Sequence, residues 1–214
     1  LPSGTRSEAI DAEVAQAMKR AGCHEFAFAP ESGDERVLKS IKKKIRLPRM
    51  FNSARQVIAV GINLGAFFIL GFPEDTWRSV LNTYWAIARC AWLGFSSVNV
   101  NAYSPQPNTE SYQALRNQGV ITALDDSYYL SLFLFQGLSP KVSYNPHFSA
   151  RVLTWLIFAG FALFYAVLFI RHPFRLIETV ADLFRVKSGS KTGRAVRGML
   201  AQFIRDKKVL GQSS

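Results

Sequence analysis

The chain has 214 residues, 49% of them hydrophobic, which is enough for one large domain or one and a half small ones. Its formal charge is +11, but residues 1–150 carry 15 Lys/Arg against 12 Asp/Glu and residues 151–214 carry 11 against 3, so the tail holds most of the excess. Two widely separated cysteines, Cys23 and Cys90, exclude a cysteine pair of metal-binding spacing and point to a reducing compartment.

In chain order, Leu1 to Arg6 reads as the exit of a strand. Ser7 to Arg20 reads as a helix with Ile10, Val14, Ala17 and Met18 on one face, Ser7 as N-cap, and Glu8 and Asp11 where the helix dipole favours anions. The repeat is already running at Leu1, and the first residue is not Met, so an upstream part is expected. His24 to Ala29 is the next strand, and it runs into Pro30-Glu31-Ser32-Gly33, where Ser32 and Glu35 have capping-box spacing. Lys42-Lys43-Lys44 is a solvated face or a phosphate site. Arg49 to Val60 is helical, with Phe51, Ala54, Val57 and Ile58 inward.

Phe67 to Thr76 is the stretch around which the rest is arranged. A buried apolar run ends in Gly71-Phe72-Pro73 and turns into the helix Trp77 to Leu93, whose apolar stripe is Val80, Leu81, Tyr84, Ile87 and Ala88. Ser97 to Ala102 is the last strand, leaving through Tyr103-Ser104-Pro105-Gln106-Pro107-Asn108-Thr109 into a helix over Glu110 to Asn117. Each strand follows a helix closed by Gly22, Gly61 or Gly94, the left-handed C-cap expected of glycine. The result is a βα repeat with polar loops at the carboxyl end of every strand, where a barrel places its active face. Arg6, Glu31, Gly71 to Glu74 and Tyr103 fall at those ends. Cys23 and Cys90 read as small core residues.

Asp125 to Gly137 is unusually aromatic and apolar. Val152 to Ile170 is 19 residues without a charge, close to the roughly 20 that cross a bilayer. Beyond it, Leu176-Ile177, Val180 and Leu183-Phe184, then Val196, Met199-Leu200 and Phe203-Ile204, repeat at helical spacing opposite Arg and Lys. Basic amphipathic helices after an apolar segment belong in a lipid interface, which favours membrane over nucleic acid as partner of the basic tail. A single crossing would separate a cytoplasmic barrel from a tail that prefers the cytoplasm. A re-entrant or monotopic helix on the cytoplasmic leaflet of the inner membrane removes that conflict and is preferred to a span. A buried core helix of a larger protein is the remaining reading.

Pro2-Ser3-Gly4-Thr5-Arg6, Met18 to Cys23, Pro30-Glu31-Ser32-Gly33, Gly71 to Thr76 and Tyr103 to Thr109 resemble, in that order, the later half of a radical S-adenosylmethionine (SAM) domain. The branch is the one whose members often carry an upstream cobalamin-binding domain. The resemblance covers about residues 1–118. It implies an α/β fold, the later half of a partial (β/α)6 TIM-like barrel over residues 1–120. The hydropathy and charge pattern adds an all-α membrane-associated tail: an apolar helix and connector at 121–150, a hydrophobic membrane helix at 151–171 and basic amphipathic helices at 172–214. The resemblance implies SAM as cofactor, a [4Fe-4S] cluster, cobalamin in some members, an electron donor of flavodoxin or ferredoxin type, and a 5′-deoxyadenosyl radical that abstracts hydrogen from substrate. The membrane reading adds the expectation that this substrate is apolar enough to be met at the bilayer. By position, Glu31 and Ser32 would meet the ribose or methionine moiety, Ile69 and Gly71 would flank the adenine, Tyr103 would lie beside it, and Arg6 would meet the carboxylate.

Two departures stand out. The Cys-x3-Cys-x2-Cys cluster motif is absent from the 214 residues, so its ligands are expected outside this chain and the chain alone is expected to be inactive. Asn108 stands where the family has Gly before Thr109. The competing readings are a non-catalytic, membrane-anchored module that binds SAM or a nucleotide, and a different barrel enzyme with a phosphate-type ligand on its helix N-termini.

Overall fold

A computed structural model describes residues 10–125, 128–129, 132, 142–184 and 198. The element order is α1 (Ala12–Arg20), β1 (Glu25–Glu31), α2 (Glu35–Ser40), α3 (Leu47–Ala59), β2 (Asn63–Leu70), α4 (Trp77–Leu93), β3 (Ser97–Ala102), α5 (Glu110–Asn117), α6 (Ala150–Arg171) and α7 (Pro173–Phe184). The three strands form one parallel sheet in the order β1-β2-β3, as successive βα crossovers require. This is a mixed α/β fold consistent with part of a radical SAM barrel.

The sheet has two unlike faces because side chains alternate along each strand. Phe26, Phe28, Leu64, Ala66, Phe68, Leu70, Val98, Val100 and Ala102 are buried beneath the helices. Their alternates Phe67, Ile69 and Asn101 are only half-buried, and Asn99 is exposed. The register pairs Phe67 with Asn99 and Ile69 with Asn101. An extra residue in β1 between Phe28 and Glu31 brings Glu31 opposite Phe68.

Helix starts depart from the expected caps in instructive ways. α1 begins at Ala12, because the Asp11 carboxylate accepts from Val14 N at 2.9 Å and so caps the helix rather than lying in its first turn. The proposed cap Ser7 lies outside the described residues. Asp34, not Ser32, caps α2, accepting from Arg36 N and Val37 N. Thr76 and Ser79 form the reciprocal capping box of α4. The inward face of α4 holds Val80, Thr83, Ile87 and Cys90, whereas Leu81 is exposed. A hydrophobicity stripe misses this rotation because Thr83, a polar residue, occupies the inward position.

The apolar segment forms α6, which packs beside α4 and along β3 and β2. Leu153, Ile157, Gly160, Phe161, Phe164 and Leu168 make its buried face. Burial of each large side chain there contributes about 1.5–3 kcal/mol. A Cβ on Gly160 would lie 3.4 Å from Val100 and 3.5 Å from Tyr84, so α4, α6 and β3 meet at close range. Tyr84 Oη donates to Leu156 O at 2.6 Å across the same seam. By length and composition the helix could cross a bilayer, yet 39% of its most apolar stretch is buried within the protein, and core helices satisfy the same criterion. At its far end Arg175 Nη1 donates to the carbonyls of Gly94 and Phe95 at 3.0 Å each, tying α7 to the end of α4. The second amphipathic helix expected around 196–204 lies outside the described residues, apart from Gly198.

Candidate functional site

The loops at the carboxyl ends of the three strands are fixed by networks that begin in sequence-local turns. After β1, Glu31 adopts φ +67°, a left-handed conformation uncommon for Glu and a place where strain marks candidate sites. Lys43 holds its carboxylate at 2.9 Å. Ser32 is buried, with its hydroxyl 3.3 Å from Thr83 Oγ1 and accepting from Asp34 N at 3.1 Å. Gly33 N donates to Thr83 Oγ1, and Asn82 Nδ2 donates to Asp34 Oδ2 at 2.7 Å. Burial alone would raise the Asp34 carboxyl. Hydrogen bonds from Asn82, Val37 N and Arg36 outweigh it and hold the group below its ordinary value.

After β2, the Gly71 to Asp75 loop is closed on itself. Asp75 Oδ2 accepts from Gly71 N at 2.9 Å and Phe72 N at 3.1 Å, and Asp75 Oδ1 accepts from Ser79 Oγ at 2.6 Å. Burial is the largest influence on this carboxyl and raises it despite those donors. Gly71 has φ +87°, and a Cβ there would lie 2.8 Å from Leu153 Cδ2, so α6 fills the space beside it and the loop requires glycine. Asn145 secures the loop from outside, donating to Phe72 O at 2.5 Å and Asp75 O at 2.9 Å while its carbonyl accepts from His147 N and Phe148 N. Asn145→Ala would take a partner from Asp75 O, His147 N and Phe148 N, while Phe72 O keeps Asp75 N, and is expected to cost about 2–4 kcal/mol. The measurement is the urea midpoint; an unshifted midpoint would show that Asn145 does not hold the loop.

After β3, Tyr103 packs its ring 4.9 Å from Phe72 and 6.4 Å from Tyr144, beneath a second apolar cluster of Tyr112, Leu115, Ile121, Tyr128 and Tyr144. Asn108 takes φ +65°, the conformation a glycine supplies, so the substitution keeps the turn ahead of α5.

Of the residues singled out in the sequence, Ile69 lies on the open face beside Asn101, whereas Glu31, brought opposite the buried Phe68 by the bulge, is half-buried at the carboxyl end of β1. Ser32 and Gly71 are turned into packing, Tyr103 sits under the aromatic cluster, and Arg6 lies outside the described residues. Asn99 and Asn101 are the residues sequence reasoning missed. The alternation Val98, Val100, Ala102 places them on the opposite face and was the available signal. Lys43 belongs to the run expected as a solvated face or a phosphate site, and its pairing with Glu31 carried no local signal. Beside Lys43, a groove of about 850 Å³ is lined by Lys39, Lys44, Arg46 and Arg49 over Leu38 and Ile45.

Cys90 is wholly buried, and burial pushes its thiol well above the ordinary range. Cys23 precedes β1 at the opposite end of the sheet from the loops. No group of three His, Cys, Asp or Glu suited to a metal exists among the described residues. The residues present do not fit an iron-sulfur cluster.

The fold and loops define a parallel βα module whose strand-to-helix loops gather at the carboxyl end of its sheet. Residues 2–84 match the family described as the radical SAM superfamily, so this stretch of the chain is similar to that superfamily. Two relatives are similar to it. One, cytidylyl-2-hydroxyethylphosphonate methyltransferase of Streptomyces wedmorensis, is 29% identical over 134 residues, 61% of this chain and 25% of the relative. The other, an uncharacterised methyltransferase of Pyrococcus horikoshii, is 26% identical over 199 residues, 92% of this chain and 39% of the relative, so its likeness continues through α6. The chain thus spans well under half the length of the curated relatives it matches.

Proposed function

We propose that the chain is the carboxyl-terminal part of a membrane-associated radical SAM enzyme that methylates or otherwise functionalises a C–H bond of an apolar substrate such as a lipid, isoprenoid or tetrapyrrole. The observation that carries this reading is the pairing of Ile69 with Asn101 at the carboxyl end of the sheet's half-buried face, next to the end of β1 where Glu31 stands, in a stretch similar to this superfamily. SAM supplies, in such enzymes, either a methyl group or a 5′-deoxyadenosyl radical. Here Glu31 would bind its ribose or ammonium, Ile69 and the Gly71 backbone would flank its base, and Asn99 and Asn101 would offer hydrogen bonds across the face. The Tyr103 cluster would exclude water from the β3 side.

The [4Fe-4S] cluster, any cobalamin, and contact with a flavodoxin- or ferredoxin-type donor would belong to residues outside this chain. This part alone would be inactive. The names of both relatives favour methyl transfer. The basic groove beside Lys43 suits an anionic group on the substrate, as the phosphonate in the Streptomyces enzyme's name would be.

For the membrane, α6 is packed along the sheet and cannot cross a bilayer without leaving it. A monotopic placement on the cytoplasmic leaflet of the inner membrane is therefore the form proposed. In this reading residues 1–120 are the barrel half, 121–150 the connector, 151–171 the membrane-facing helix and 172–214 the basic tail.

Equilibrium SAM binding to the full-length protein tests the site. Glu31→Gln and Ile69→Arg are each expected to raise the dissociation constant about tenfold, equivalent to about 1.4 kcal/mol. Unchanged affinity in both would remove the assignment. SAM binding by a full-length protein without iron or acid-labile sulfide would leave the non-catalytic binding module instead.

A further inference from the structure

All four tryptophans of the chain stand on two neighbouring helices and all are exposed: Trp77, Trp85 and Trp92 of α4 at 57% each, and Trp155 of α6 at 75%. Tryptophan carries the largest apolar surface of any side chain and is usually well buried, so such exposure calls for an occupant. At 3.6 residues per turn, Trp77, Leu81, Trp85 and Trp92 fall within an arc of about 80° on α4. Leu81 is itself 65% exposed.

The two helices run side by side in the same direction. Trp77 packs edge-on against Phe148, just before α6 begins, with ring centres 4.9 Å apart. Arg171, the last residue of α6, lies 5.3 Å over the Trp92 ring. Both helices pack on the sheet with one side and on each other with a second, so their remaining faces point away from the sheet together. Along α6 that outer line reads Trp155, Ala159, Ala162, Ala166 and Ile170. Neither helix contains an Asp or a Glu. Their charges are Arg78, Arg89, Arg151 and Arg171, and Arg89 stacks 5.0 Å from the Trp85 ring.

We infer that this tryptophan-lined face of α4 and α6 is a membrane-contacting surface built into the barrel itself, with an anionic lipid leaflet as its occupant. Exposed indoles at headgroup level, aliphatic side chains between them and arginines without carboxylates match an anionic interface in both polarity and charge. The inference rests on the membrane part of the proposed function and deepens it. Contact is assigned to residues 77–92 as well as to the apolar segment and tail, and both helices lie in the plane of the leaflet.

The test is co-sedimentation of the 214-residue chain with vesicles of phosphatidylglycerol and phosphatidylcholine, paired with its intrinsic fluorescence. Because every tryptophan lies on this face, quenching by brominated phosphatidylcholine reports it without substitution or label. The expected result is vesicle binding that strengthens with phosphatidylglycerol, strong bromolipid quenching, and partition weakened about tenfold in the double variant Trp85→Gln, Trp92→Gln. Binding without quenching, and equal binding by the double variant, would overturn the inference while leaving a membrane contact through the tail. Absence of binding to any vesicle would remove the membrane reading as well. Tryptophans shielded from aqueous quencher in a lipid-free dimer would assign the face to a second copy of the chain and also overturn it.

Discussion

Gly33→Ala is expected to be the most damaging single-methyl change in the barrel half, at about 3 kcal/mol or more. A Cβ at this position would lie 2.3 Å from Asn82 O and 2.6 Å from Thr83 Cα, which are backbone atoms of α4 that no rotamer can move aside. The loop after β1 would have to lift from the helix. In doing so it would lose the Gly33 N to Thr83 Oγ1 bond at 3.0 Å, the Ser32 to Thr83 contact and the Asn82 to Asp34 bond. Glu31 sits two residues earlier on the same loop, so SAM affinity should fall together with stability. The check is urea unfolding, where the midpoint drops at constant slope. A shift of less than about 0.5 kcal/mol, the size of an ordinary surface substitution, would mean that the loop and α4 are not in hard contact.

The same loop shows what the sequence could and could not convey. Strand and helix positions were legible because each βα unit carries its own punctuation. The expected spans Ser97–Ala102, Trp77–Leu93 and Glu110–Asn117 coincide with β3, α4 and α5. Local capping chemistry was legible as well, but its choice of residue was not. Asp34 caps α2 in place of Ser32, whose hydroxyl has a tertiary partner in Thr83, 51 positions away. No periodicity reports such a pairing. Gly71 was readable as the glycine that ends a strand, but the neighbour that crowds it, Leu153, lies in the segment whose composition points toward lipid. Composition alone does not divide an apolar helix into the face that packs on a sheet and the face left open. That division required the seam formed by Gly160, Tyr84 and Val100.

Asp75→Ala should cost about 2–5 kcal/mol, and Asp75→Asn little more than about 1 kcal/mol, because the two changes treat the same three donors differently. Alanine leaves Gly71 N and Phe72 N unpaired in a site where Asp75 is 1% exposed. Ser79 would be spared in part, since its hydroxyl already lies 2.8 Å from Thr76 O. Asparagine keeps one oxygen facing both N–H groups and removes a charge whose burial is unfavourable. The wild-type carboxyl is raised above its ordinary value, first by burial and further by the negative charge of Asp34. The folded state therefore holds this proton to higher pH than the unfolded chain does. The stabilising contribution is complete below the unfolded value near 3.9 and is lost as pH rises through the raised folded value. Asp34 has the opposite sign. Its folded value is lowered, so its contribution is present above the unfolded value and is lost only as pH falls through the lowered one. Asp34 and His172, whose values are both lowered, titrate in the wild type and the variant alike, so the difference between the two proteins isolates Asp75. Urea midpoints of wild type and Asp75→Asn, compared in steps upward from pH 4, should show the wild type losing ground to the variant. A wild type that gains instead would mean that the three hydrogen bonds to the carboxylate outweigh its burial, and that the charge itself holds the loop closed.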